Sequence, residues 1–475
     1  MTVRLFKKNG EITVFLSLLL SSLLALLSIS YESARIQFIK LEKETAMDAS
    51  LRSCFGEYSK DLYSKYDLLY IDSSYKVSEA LMENVKDHFL YYYRNNIDPP
   101  EDLKSADALG ISIKESEIIT YMLSSDNMGL PVYNQAVEYM ENYGDISHSA
   151  QTEALRSSLT QTEEGSILGI WDAALGRIAA FGVDFTNPAE SARGMVNNGA
   201  DQVIRANGKT LKAVPYSTLP SKRSLKSGNY GIIEDKGREE IFIEYLYQKC
   251  SSCTAAKENS QLACEMEYLL YGHDADYDNL KPLIERLIRI FARANYSYAC
   301  SDGGMQGEMR ALAEAIVPMP FYDPLDPEGW FDRELLIEAV IDSLECAWAQ
   351  TEAICKASRL LSGGRVDCAR CYSDSIVSVD SICEYMGRLN SRGGRGNTYA
   401  EYAAAFLWEI PKGLLIMRFL DVAEINMRAM GNPGLCVDGC IEYMKVKTDT
   451  KSSFGYEYTI TRDYSYEKKY RSTHD

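Results

Sequence analysis

Two Cys-x-x-Cys pairs, Cys250-Ser-Ser-Cys253 and Cys368-Ala-Arg-Cys371, carry the most chemistry in their spacing. Two such pairs can close a tetrahedron of thiolates around zinc, but these lie far apart in the chain, well outside ribbon spacing. A redox pair opens a helix after a strand, whereas Cys250 ends a helical run and Cys368 follows Gly363-Gly364 in a loop. The chain has 12 cysteines, and on an oxidising outer surface the groups at 250–264, 368–383 and 436–440 are placed to staple loops as disulfides. Cys346 and Cys355 point to opposite sides of one helix and cannot bridge each other. Cys54, alone on an apolar helix face, reads as a buried free thiol.

Carboxylates give the next pattern. Asp274, Asp276, Asp278 and Glu285 occupy positions 1, 3, 5 and 12 of an EF-hand-like calcium loop, with Asn279 where the turn wants glycine. The preferred reading of the same residues is a helix start, with Asp278 as N-cap, Pro282 in the first turns and the other acids at the positive end of the dipole. His88, His148, His273 and His474 form no HExxH spacing, and Gly393-Gly394-Arg395-Gly396-Asn397 lacks the lysine and hydroxyl of a phosphate loop. Glu338 and Asp342, one helical turn apart, read as a solvated face. The expectation is a non-enzymatic chain with no catalytic, cofactor-binding or metal-ligating residue. A net charge of −18 and a pI near 4.9 argue against nucleic acid as a partner.

The elements behind these residues start at a membrane segment. From Ile12 to Ser30 no residue is charged, and the run is long enough as a helix to cross a hydrocarbon core. Arg4, Lys7 and Lys8 before it favour a cytoplasmic N-terminus, which puts the rest of the chain outside. Ser28 and Ser30 also suit a signal-peptidase site, but helical periodicity continues past them, with Met47, Leu51, Cys54, Phe55, Tyr58 and Leu62 on one face.

The expected class is α+β, predominantly helical. Its order is a cytoplasmic basic segment at 1–11, a transmembrane helix at 12–30, an amphipathic spine at 31–64 and a small α+β unit at 65–149. A variable connector at 150–230 and a helical ectodomain at 231–475 ending in a β-hairpin complete it. Strands are expected at 65–72 and 108–113, and helices stopping before Asp98-Pro99-Pro100 and at Gly144. Glu409, Lys412, Arg418 and Pro411 argue against a second span at 403–420.

The opening KKNGEITVFLSLLLSSLLALLSISYESAR resembles a Gram-positive domain-of-unknown-function family of membrane-anchored envelope proteins, and more broadly the TadE and TadG pseudopilins of pilus assembly. One position departs from the prepilin pattern: Phe15 stands where Glu is usual, while Glu11 directly follows Gly10. The resemblance continues through CEMEYLLYGHDADYDNLKPLIERLIRIFARANYSY, ELLIEAVIDSLECAWAQTEAICKASRLLSGGRV and TYAEYAAAFL. It implies an extracytoplasmic structural or accessory component of a Tad-type pilus or envelope system. The implied partners are the bilayer through residues 12–30 and pilus-assembly or pseudopilin subunits through the N-terminal helix, which on its residues can pack against similar helices through Ala34, Phe38 and Leu41 and the face from Met47 to Leu62. The alternative is a surface-anchored enzyme or ligand binder, calcium-stabilised at 274–285.

Overall fold

The computed structural model describes residues 6–77, 79–97, 110–147, 149–162, 166–213, 238–319, 332–368 and 375–467. It is α+β and mostly helical, and it divides into two compact units. In chain order the first elements are α1 (Phe6–Phe55), α2 (Lys60–Tyr66), β1 (Ile71–Asp72), α3 (Met82–Ile97) and β2 (Ile111–Leu123). Helices follow as α4 (Asp126–Tyr143), α5 (Ser149–Thr162), α6 (Ile167–Ala180), α7 (Pro188–Met195), α8 (Gly199–Asn207) and α9 (Glu239–Lys249). Next come α10 (Glu265–Tyr271), α11 (Asp276–Ser301), α12 (Gly303–Ile316), α13 (Arg333–Leu361), β3 (Arg365–Val366) and β4 (Asn397–Thr398). The last are α14 (Tyr399–Leu407), α15 (Lys412–Ala429), β5 (Cys440–Ser452) and β6 (Glu457–Ser465).

The first unit takes residues 1–63, 69–124 and 434–475. Helix α1 has 50 residues and is about 75 Å long. Its apolar side chains from Ile12 to Ile29 are exposed, and it is the one described helix long and apolar enough to cross a membrane. Beyond them Ile39, Ala46, Met47, Ser50, Leu51, Cys54 and Phe55 repeat at helical spacing and are buried. They share a core with Val85, Phe89 and Tyr93 of α3 and with Ile441, Met444, Val446 and Ile460 of the sheet. The expected spine to residue 64 stops early: at Gly56 the N–H closes on Arg52 O at 2.9 Å, and the chain turns. Tyr58 and Leu62 therefore do not lie on α1, and Leu62 N–H instead meets the Ser59 hydroxyl at 3.5 Å as α2 begins.

The sheet is antiparallel with β5 in its middle. β2 lies along one side of β5, while β1 and β6 share the other. In β5, Met444, Val446, Thr448 and Thr450 are buried and alternate with Lys445, Lys447, Asp449 and Lys451. The expected strand at 65–72 is reduced to Ile71–Asp72, and the one at 108–113 extends to Leu123. The expected contiguous 65–149 unit is not how the chain divides, because β2 pairs with β5 from the far end of the sequence. The β5–β6 turn reaches back to α1, where the Arg35 guanidinium sits 3.8 Å from the centre of the Phe454 ring.

The second unit takes residues 64–68 and 125–433. Its axis is α13, buried almost continuously from Leu336 to Leu361. The expected connector at 150–230 is a correction: its described part folds into α5, α6, α7 and α8. Trp171 and Ala174 of α6, Ala189 and Ala192 of α7, and Val203 of α8 are fully buried. The residues that read as breakers are caps. Ser166 accepts the Leu168 N–H, Asn187 accepts the Ala189 N–H with Pro188 following, and Gly208 closes α8 in the left-handed conformation. The 403–420 stretch is two buried helices, α14 and α15, broken at Pro411.

Candidate functional site

A buried polar cluster forms in the second unit where α9 gives way to α10. After Lys249 the chain leaves helical geometry and doubles back, with Ser252 and Ala255 exchanging both backbone hydrogen bonds at 3.0 Å. This loop belongs to no regular ladder, so its amides need other acceptors. Two glutamates on the first turn of α10 supply them: Ser251 N–H donates to Glu265 Oε2 at 2.7 Å and Cys253 N–H to Glu267 Oε1 at 3.0 Å. Asp276, at the start of α11, accepts from Lys212, Ala263 and Cys264 N–H at 2.9, 3.2 and 3.3 Å. Asn426 of α15 donates to Glu265 Oε1 at 2.6 Å and to Tyr66 Oη at 2.7 Å. At the other end of α10, Gly272 is left-handed at φ 70°, and Arg418 donates to Leu269 O and Leu270 O at 2.7 and 2.6 Å.

At the centre Cys253 Sγ, Cys264 Sγ and a Glu267 carboxylate oxygen lie within 4.8 Å of one another, all buried. Glu267 Oε2 and the hydroxyl of Tyr399, buried beside the carboxylate, form no hydrogen bond of good geometry. Burial pushes the Glu267 carboxyl up to about 7, against the downward pull of the Tyr399 hydroxyl and the Cys253 amide. Contact with the Cys253 thiol, and then burial, holds the Cys264 thiol well above its ordinary range. Burial does the same to the Tyr399 phenol, reinforced by the Glu267 charge. Two sulfurs and one carboxylate oxygen are the donor set of a thiophilic divalent cation.

The structure thus regroups the cysteines. Cys253 meets Cys264 and Glu267 rather than the second Cys-x-x-Cys pair, of which Cys371 lies outside the described residues. Cys54, Cys250, Cys253, Cys264, Cys300, Cys346, Cys355 and Cys383 are free thiols in this structure, which makes none of the disulfides expected among the 250–264 group. The physical reason is partnership: Cys253 and Cys264 are engaged with a carboxylate, and Cys346 and Cys355 are buried along α13. A legible signal was Cys264-x-x-Glu267, because residues three apart across a helix start share a face.

The calcium-loop residues diverge. Asp276 turns inward to three backbone amides, Asp278 is exposed, and Glu285 lines a cavity further along α11. The helix begins at Asp276, so Asp278 lies in its first turn and not at the N-cap. Asn279 bonds both ways to His273, at 2.8 Å each. Glu338 is exposed, and Asp342 pairs with Arg177. Gly396 allows β3 and β4 to meet, since a Cβ there would come 2.5 Å from Val366 O. The cavity, about 340 Å³, is lined by Asp201, Lys281, Glu285, Arg289 and Gln350 among others.

Residues 183–452, more than half of the chain, match the family of unknown function DUF5702, and the protein belongs to that family. No curated protein and no solved structure matches it.

Proposed function

We propose that this is a non-enzymatic, single-pass membrane protein with a cytoplasmic N-terminus and an extracytoplasmic remainder. In this reading it serves as a pseudopilin-like structural or accessory component of a Tad-type pilus or envelope assembly system. The observation that carries the reading is the two-sided use of α1. Its first half offers lipid-compatible side chains all round, and from Ile39 onward one face is buried on the sheet. On the opposite face, immediately past the apolar run, Tyr31, Ala34, Phe38 and Leu41 are exposed at alternating spacings of three and four. Phe38 and Leu41 keep 59% and 61% of their surface in solvent. That repeat is the seam by which one helix seats on another, and it supports lateral association with a helix of the same kind.

The test is a photo-crosslinking amino acid at Phe38, Leu41 or Lys40 of the full-length protein in its native membrane. Adducts with a second membrane-anchored helix are expected at 38 and 41 and not at 40. Absence of protein adducts at 38 and 41, or equal yields at all three, rejects the seam. Protease added to intact cells cleaves the second unit if it faces outward. The charged cavity of α8 and α11 favours a second reading, a surface-anchored ligand binder. A small-molecule panel that raises the unfolding temperature of the parent but not of Gln350→Leu would support it.

A further inference from the structure

We propose that Cys253, Cys264 and Glu267 form a buried site for a thiophilic divalent cation, zinc being the expected one, which fastens the 250–264 loop to α10. This goes beyond the assembly role above and is independent of it. The three donor atoms already lie within 4.8 Å of one another. With Zn–S near 2.3 Å, two sulfurs of a tetrahedral centre are about 3.8 Å apart, so closure asks for only about 1 Å of movement.

A second observation points to a ligand. Glu267 is wholly buried, the Cys253 amide holds Oε1 at 3.0 Å, and Oε2 makes no well-formed hydrogen bond, with the Tyr399 hydroxyl beside the carboxylate. An unpaired buried carboxylate oxygen is costly, and a bound cation removes that cost. The Tyr399 hydroxyl lies against the same groups and gives the cluster a polar side for a fourth donor. The charges felt at Glu267 and Cys264 come from acids, Asp276 among them, which favours a cation over an anion. On binding, both thiols lose their protons to solvent and the thiolates and carboxylate ligate. The competing chemistry is a Cys253–Cys264 disulfide, formed by loss of two protons and two electrons to an external thiol oxidant. It would leave Glu267 Oε2 bare.

The experiment uses the full-length protein, purified in detergent with reductant and without chelator. Elemental analysis should return close to one zinc per chain. After stripping, anaerobic Co²⁺ should give a thiolate-to-metal charge-transfer band and tetrahedral d–d absorption. The isosteric Glu267→Gln variant should bind Co²⁺ at least about tenfold more weakly, and Cys264→Ser should lose most of the charge-transfer band. Equal Co²⁺ spectra and affinities in the parent and both variants would place the metal elsewhere and overturn the proposal. So would a metal-free protein with both thiols alkylated on unfolding, or a 253–264 disulfide that forms despite zinc. If a variant does not fold, the parent's Co²⁺ spectrum decides, since weak octahedral bands without charge transfer reject thiolate ligation.

Discussion

Glu352 and Lys356 of α13 form an ion pair deep in the second unit, with side chains 0% and 4% exposed. Glu352 Oε2 accepts from the Ile376 and Val377 N–H groups at 2.9 and 2.8 Å, while Oε1 lies 3.9 Å from Lys356 Nζ. Lys356 also donates to Asn295 Oδ1 at 2.7 Å. Two charges at that separation attract by about 4 kcal/mol at an effective dielectric near 20. Glu352→Gln keeps an acceptor for both amides but strands a buried ammonium, so we expect a loss of about 3–5 kcal/mol. Lys356→Met leaves a carboxyl that burial already raises above the usual carboxylate range. It can take a proton on Oε1 while Oε2 keeps its two amides. A raised acid contributes stability that is full below the unfolded value and lost as pH rises through the folded one. The Lys356→Met cost should therefore grow as pH rises above the ordinary carboxylate range, by about 1.4 kcal/mol for each unit by which the folded value exceeds the unfolded one. The double variant carries neither charge and should fall within about 1 kcal/mol of the parent. Trp171, Trp330, Trp348 and Trp408 all lie between residues 125 and 433, so tryptophan fluorescence in urea reports the second unit. Single variants that each cost under about 1 kcal/mol and simply add in the double would refute a dry, coupled pair.

Gly129 is left-handed at φ 78°, and a Cβ there would overlap Ile416 Cγ2, so Gly129→Ala should cost about 2–3 kcal/mol in the same urea assay. Gly169 sits inside α6 with open space around it, and Gly169→Ala should instead stabilise by about 0.5–1 kcal/mol. Asp332 caps α13 through the Glu334 and Leu335 N–H groups at 3.0 and 3.3 Å, and its change to Ala should lower stability by about 1 kcal/mol. Burial pushes the Cys54 thiol up to about 12 and, with Glu345, the exposed Cys300 thiol up to about 11. Iodoacetamide followed by peptide mass spectrometry should find both slow at neutral pH, with Cys300 accelerating in alkali and Cys54 silent until the protein unfolds.

What the sequence revealed was what one local signal could decide. The uncharged run and the Met47, Leu51, Cys54, Phe55 stripe specify a helix and its buried face without any knowledge of the partner. β2 was legible only at Ile111 and Ile113, because Glu115, Ser116 and Glu117 give no clean alternation and the strand is fixed by pairing with β5. The helices at 149–207 were hidden by short lengths and by the Ser, Asn, Pro and Gly that cap them. The thiol–carboxylate cluster was half visible. Cys264 and Glu267 are local to one helix start, but Cys253 joins them only because two glutamates capture the amides of an irregular loop, and Tyr399 arrives from a helix more than a hundred residues later.

The family match starts after α1 and ends at the last residue of β5, and this division has a structural consequence. Every strand that pairs with β5 lies outside the matched residues: β1 and β2 before them, β6 after them. A piece cut to 183–452 would carry the whole thiol–carboxylate cluster but would expose Met444 and Val446 on an unpaired strand. A piece cut to 125–433 would avoid that strand and lose Tyr66, which is fully buried and accepts from the Tyr245 hydroxyl at its carbonyl and from the Asn426 amide at its hydroxyl, at 2.7 Å each. Residues 64–68 belong to the second unit although the chain before and after them belongs to the first, so the units are interlaced in sequence. Neither unit is a contiguous segment, and each draws its core from stretches that the other interrupts in sequence.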